Sequence, residues 1–192
     1  MSDAFLAIRE LLATVLKEEP VDALGADCWG SLLANNKLFE QELAACRNTL
    51  DAIQWKTAGA LAASHEFACQ NCASKLVKQL DTDNTDQELA QYMCSACGNE
   101  NEAVPLLGFG IEEAYGFEAH LAAKDGGEPP VGTCPECGEE TYVISEGGCA
   151  ICGFEMPDDA TCAVCGEKLT LDDLGEVTGL CGYHRYVAQK DD

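Results

Sequence analysis

Apolar positions fall into a helical rhythm over the first third of the chain and lose it afterwards. Ser2 is placed to cap a first helix, which carries Phe5, Ile8, Leu12, Val15 and Leu16 on one face. Pro20 ends it, because proline disfavours helix in the residue before it. Gly25 and Gly30 mark an irregular connection. A longer helix is predicted from Ser31 to Ser64. Its apolar positions are Leu32, Phe39, Leu43, Cys46, Leu50, Ile53 and Ala60, and the steps from Phe39 to Ile53 alternate four and three, which is heptad spacing. Asn36 and Thr57 take the two seam positions that are not apolar. A seam of this kind closes either on a second copy of the chain, giving a homodimer through residues 31–64, or on the first helix as a hairpin. Residues 105–124 read as another helix, with Ile111, Ala114, Tyr115 and Leu121 roughly aligned, and Lys124–Pro130 as a break rich in glycine and proline.

From residue 67 onward, cysteine replaces apolar periodicity as the organising feature. The chain has 13 cysteines. Ten of them form Cys-x-x-Cys pairs: Cys69/Cys72, Cys94/Cys97, Cys134/Cys137, Cys149/Cys152 and Cys162/Cys165. Cys181 opens a Cys-x-x-His with His184, and Cys28 and Cys46 stand alone. A disulfide framework expects an export signal, and the opening Met1-Ser2-Asp3-Ala4-Phe5 shows neither a basic nor an apolar leader region. A thioredoxin-like redox motif occurs once, beside a βαβ pattern, and not five times. Zinc accounts for the spacing directly: two ligands on one tight turn hold half of a tetrahedron, and two such turns complete it. Gly98, Gly138, Gly153 and Gly166 each follow a pair, where the chain must turn sharply, often at positive φ.

Pairing the half-sites in order predicts three zinc ions. The first is held by Cys69, Cys72, Cys94 and Cys97, the second by Cys134, Cys137, Cys149 and Cys152, the third by Cys162, Cys165, Cys181 and His184. A cross-brace among the last four half-sites is the competing arrangement. Sequential pairing is preferred because each gap can hold a hairpin. Tyr142-Val143-Ile144 followed by Gly147-Gly148 reads as a strand and turn, and Lys168-Leu169-Thr170-Leu171 repeats the idea. Thr85-Asp86-Gln87-Glu88 has capping-box form and predicts a short helix inside the first site's long loop. Four protein ligands leave no position for water, so these are structural and not catalytic centres, and no catalytic residues are expected. His65 could stand in as a ligand beside Cys69, but four cysteines already suffice, and His120 sits ordinarily near a helix end. Cys46 reads as a small buried apolar residue and Cys28 as unliganded.

The resulting fold class is a small metal-rich α+β protein: an N-terminal helical hairpin or coiled coil followed by three zinc-ribbon-like modules. The expected divisions are a helical module over 1–66, a first zinc module over 67–104, a helix and linker over 105–130, a second module over 131–156 and a third over 157–192. The stretch Ala122–Pro130, followed by Cys134-Pro135-Glu136-Cys137-Gly138-Glu139-Glu140-Thr141-Tyr142-Val143, resembles zinc-ribbon tails in bacterial proteins of unknown function whose N-terminal regions are helical and sometimes HEPN-like. That resemblance, over residues 67–187, implies a ribbon array behind a helical module. It does not extend to HEPN ribonuclease activity, which uses an arginine followed a few residues later by a histidine. Arg9 and Arg47 have no such histidine, and Arg185 follows His184.

Charge narrows the partners. The formal net charge is −23, from 34 acidic and 11 basic residues. Zinc on eleven thiolates and one imidazole deepens it to about −28. Between residues 79 and 184 the only cations are Lys124 and Lys168. Lysine and arginine supply most non-specific affinity for nucleic acid, so nucleic-acid binding is disfavoured and a protein partner preferred. No run of about 18 apolar residues suggests a membrane span, and the composition predicts a cytoplasmic protein. The sequence thus predicts a non-enzymatic zinc scaffold or adaptor, with a redox-sensitive zinc-thiolate switch as one alternative and a nucleic-acid-binding zinc-ribbon protein, disfavoured by the acidity, as the other.

Overall fold

The computed structural model describes residues 7–8, 10–18, 20–174 and 179–190. Ser2 and Phe5 of the predicted first helix lie outside them. The chain runs α1 (Leu11–Leu16, with π-helical bonding), α2 (Pro20–Leu24), α3 (Ala26–Asp51), α4 (Ala58–His65), β1 (Val77–Gln79), β2 (Tyr92–Cys94), β3 (Glu100–Asn101), α5 (Ala103–Asp125), β4 (Val131–Gly132), β5 (Tyr142–Val143), β6 (Gly148–Cys149), α6 (Leu171–Leu174) and α7 (Gly182–Lys190). Two small antiparallel sheets, ordered β1-β2-β3 and β4-β5-β6, complete an α+β fold.

The first helix closes before Pro20, at Leu16, where Lys17 turns through a left-handed φ of 57°. Pro20 then opens α2, a position that suits its fixed φ and missing N–H. Only part of the predicted apolar face is covered. Leu12 is buried, whereas Ile8, Val15 and Leu16 are exposed.

The predicted single helix from Ser31 to Ser64 is in fact two. It starts earlier, at Ala26, and stops at Asp51. The Leu50 carbonyl at the helix end accepts from the Ile53 N–H at 3.1 Å and from the Trp55 indole N–H at 3.0 Å. Thr57, which falls on the seam, is instead the N-cap of α4, its Oγ1 accepting from the Ala60 N–H at 3.1 Å. The apolar rhythm continues across the break because both helices turn toward one core, so periodicity alone hides it. At its C-terminal end the seam is covered by strand β1. Leu50 and Val77 share one core cluster, and the Gln79 N–H donates to Thr49 Oγ1 at 3.0 Å. Farther up, Leu32, Asn36, Phe39 and Leu43 are half-buried.

The main core joins segments far apart in the chain: Leu50 of α3 and Ile53 just after it, Phe67 after α4, Val77 and Tyr92 of the first sheet, Leu106 and Ile111 of α5, Val143 of the second sheet and Ala150 just after β6. Phe67 meets Trp55 and Tyr92 edge-on, at ring-centroid distances of 6.1 and 5.5 Å. Helices α4 and α5 approach so closely that a Cβ on Gly110 would lie 2.3 Å from the Ala63 carbonyl oxygen. Helix α5 spans two residues beyond the predicted start and one beyond the predicted end. It stops where Gly126 adopts a left-handed φ of 74°. The predicted capping box becomes one 3₁₀ turn, Gln87–Leu89, capped by Asp86 rather than Thr85. No described helix is long and apolar enough to cross a membrane.

Candidate metal centres

Each Cys-x-x-Cys pair builds the same loop. The residue after the pair donates its N–H to the carbonyl of the first cysteine: Ala73 to Cys69, Gly98 to Cys94, Gly138 to Cys134, Gly153 to Cys149 and Gly166 to Cys162, all at 2.8–2.9 Å. The first cysteine returns a bond from its own N–H to a carbonyl five residues on, as in Cys69 to Ser74 at 2.9 Å and Cys134 to Glu139 at 2.8 Å. Closing this turn demands positive φ after the second cysteine. The four predicted glycines adopt it, with φ between 72° and 77°. In the fifth loop Ala73 does so, at 56°.

The loops also aim backbone N–H groups at sulfur. Cys94 accepts from Ala96 and Cys97, Cys149 from Ile151 and Cys152, Cys162 from Val164 and Cys165. The second cysteine of each pair accepts from the residue two positions on, as Cys97 does from Asn99 and Cys152 from Phe154. These dipoles stabilise thiolates. The Asn99 N–H is the main cause holding the Cys97 thiol down to about 6. The Cys181 and Cys165 amides hold Cys162 down to about 6. At Cys149 burial acts the other way, but the Thr141 hydroxyl and the two amides outweigh it and bring the thiol to about 7. In each cluster at least one thiol is thus held toward its thiolate form, the form that binds metal.

The loops meet in sequential pairs. Cys69, Cys72, Cys94 and Cys97 converge, as do Cys134, Cys137, Cys149 and Cys152, and Cys162, Cys165, Cys181 and His184; within each group every ligand atom lies within 4.8 Å of the others. The cross-brace does not form. In the first group Cys69–Cys97 and Cys72–Cys94 stand 3.6 and 3.7 Å apart, sulfur to sulfur. In the second, Cys134–Cys152 and Cys137–Cys149 give 3.6 and 3.7 Å. A disulfide would require about 2.05 Å. The third group is looser and mixed. His184 Nδ1 lies 3.5 Å from Cys162 Sγ and 3.2 Å from Cys181 Sγ, and Cys165–Cys181 is 3.9 Å.

The third group also differs in form. Its second half-site is not a loop but the start of α7, with Cys181 just before the helix and His184 in its first turn. No glycine follows His184, and the Arg185 N–H simply makes a helical bond to the Cys181 carbonyl at 3.0 Å. Among the described residues its β pairing is a single bridge, Thr161 to Lys168. Asp173 organises it: the carboxylate accepts from the Thr170 N–H and hydroxyl at 2.9 and 2.8 Å, which holds it below the usual carboxylate range. Leu171 packs on the apolar cluster around the second group.

Cys46 is buried, its sulfur 3.7 Å from the Ser95 hydroxyl, and Cys28 is exposed; neither joins a cluster. His65 bonds Asp51 at 2.6 Å instead of a metal group, and His120 is exposed on α5.

Sequence reasoning missed the residues that fasten the second group to the first. Gln87, buried in the 3₁₀ turn, accepts from the Lys56 N–H and donates to the Ala150 carbonyl, both at 2.8 Å. Lys56 Nζ reaches Glu88 at 2.7 Å and the Cys152 carbonyl at 3.2 Å. Glu146 accepts from the Gly59 N–H at 2.7 Å and the Tyr115 hydroxyl at 3.1 Å. Each contact joins residues 31 to 96 positions apart, and no local pattern marks them.

No known protein family, curated protein or solved structure matches this chain.

Proposed function

We propose that the three clusters hold structural zinc and that the protein is a non-enzymatic scaffold for a protein partner. The carrying observation is the closed tetrahedral donor set. Four sulfurs at a Zn–S distance of about 2.3 Å stand about 3.8 Å apart, and sulfur and imidazole nitrogen about 3.6 Å apart, from the ideal tetrahedron. The sulfur pairs at 3.6–3.7 Å in the first two groups fit that edge. Neutral imidazole beside three thiolates is a familiar zinc donor set. A catalytic zinc keeps one position open for water, and four protein ligands per ion close it. Metal binding then supplies folding free energy to modules whose strands are two or three residues long.

The deciding experiment is native mass spectrometry of protein purified without chelator. Three zinc ions per chain, with a co-purifying protein and no zinc-dependent turnover of peptide or nucleic-acid substrates, are expected. Turnover abolished by cluster mutation would refute the scaffold reading.

One observation supports a redox switch as the second reading. Cys72, Cys97 and Cys165 are exposed, whereas no ligand of the second group is. Mild peroxide is then expected to release zinc from the first and third groups before the second; release in a different order would count against it.

A further inference from the structure

Helix α5 carries three interior glycines, and packing explains one. Gly110 is required by the close approach to Ala63. A Cβ on Gly108 or on Gly116 would meet nothing within 4 Å. Glycine weakens a helix interior, so its presence twice without a packing reason needs another explanation. Both line one groove of about 420 Å³ that runs between α5 and the entry to the second sheet. Gly108, Ile111 and Gly116 form part of one side, and Pro129 and Pro130 stand among the residues of the other. Tyr115 adds an aromatic ring whose hydroxyl is anchored on Glu146. Glu112, Glu139 and Glu140 add exposed carboxylates to the lining. Among the described lining residues there is no lysine or arginine.

We propose that this groove docks an extended segment of a partner protein in which apolar residues alternate with lysine or arginine. The inference rests on the scaffold reading and names its partner's chemistry. Bare glycine lets a peptide backbone approach the helix closely, as a side chain would not. Apolar side chains pack on Ile111 and the prolines, and the cationic ends reach the three carboxylates. The volume lies within the range of binding pockets. Charge complementarity selects the occupant: an acidic segment would meet repulsion from the rim and from a chain of net charge −23.

The test uses the full-length, zinc-loaded protein and a fluorescein-labelled Leu-Lys-Ala-Lys-Leu-Lys peptide, read by fluorescence anisotropy. Gly116→Leu fills the floor with a better helix former. The double variant Glu139→Lys/Glu140→Lys inverts the rim without touching the floor. Both should retain three zinc ions and wild-type helicity. Each is expected to weaken binding at least tenfold, as is replacing the peptide's leucines by serine. Equal affinity of wild type and Gly116→Leu would overturn the proposal, since the peptide would then be held by acidity at large. Absence of saturable binding to wild type would also overturn it. If Gly116→Leu does not fold, the charge-inverted variant decides alone. The scaffold reading fails separately, on turnover, and survives loss of the groove if a protein partner remains bound to Gly116→Leu in native mass spectra.

Discussion

The sharpest test of the knuckle geometry is to exchange its one exception with its rule. Ala73 holds a left-handed φ of 56° where the other four loops have glycine. An L-residue in that region costs about 1–2 kcal/mol relative to its ordinary conformations. Glycine removes that strain but frees the unfolded chain, which costs about 0.4–1 kcal/mol. Ala73→Gly should therefore stabilise the zinc-loaded protein by roughly 0.5–1 kcal/mol. Gly98→Ala should destabilise it by a similar amount, because φ there is 73° and a Cβ meets nothing within 4 Å, leaving backbone strain as the only cost. Cys69 and Cys94 belong to the main core, so global unfolding reports on both positions. Urea midpoints at constant slope measure the differences, which correspond to a two- to fivefold change in the unfolding equilibrium. The double variant should fall within about 0.5 kcal/mol of wild type. A destabilising Ala73→Gly, or a neutral Gly98→Ala, would refute the argument that positive φ closes these loops.

Three further outcomes follow from the packing. Gly110→Ala should cost about 1–3 kcal/mol or more, because its Cβ would lie 2.3 Å from the Ala63 oxygen and backbone cannot yield as a side chain does; chemical denaturation checks this, and a neutral result would mean that α4 and α5 slide freely. Gln87→Leu should cost about 1–3 kcal/mol by leaving the Lys56 N–H and the Ala150 carbonyl without their partner, and hydrogen exchange should show faster opening where the second module meets α4. Burial pushes the Tyr92 hydroxyl up to about 12, above the unfolded value of about 10. The neutral phenol's contribution is then complete below pH 10 and lost as pH rises toward 12. Tyr92→Phe should flatten that alkaline loss in urea midpoints measured from pH 9 to 12; an unchanged profile would point to another group.

What could be read from the chain was what is local. A Cys-x-x-Cys followed by glycine encodes a complete loop, so the half-sites could be read directly, whereas the sequence left sequential pairing and the cross-brace both open and only the fold brings the loops together in order. The same rule sets the last half-site apart: Arg185, not glycine, follows His184, and a helix rather than a loop forms there. The division of the long helix escaped because Thr57 satisfies the apolar rhythm's register while acting as a cap. The least legible feature was the joint core. Val143 lies against Gly59, where a Cβ would come within 2.7 Å, and Ala150 carries the carbonyl that Gln87 bonds. Such contacts depend on which surfaces meet, and spacing along the sequence is silent about them.

That joint core sets an order of events during synthesis. Leu50 and Ile53 leave the ribosome about a hundred residues before Ala150, the last member of their cluster. Until the second sheet emerges, α4 and α5 face each other without the Val143 and Ala150 side chains that close the core beside them. The four cysteines of the first group are all present by residue 97 and could hold a metal ion early. An early metal would thus hold one sheet in register while the nascent chain waits for the rest. A chain halted before Val131 would be left with the first cysteine group gathered and an open core, whereas one halted just after Met156 would have two complete cysteine groups and a closed core.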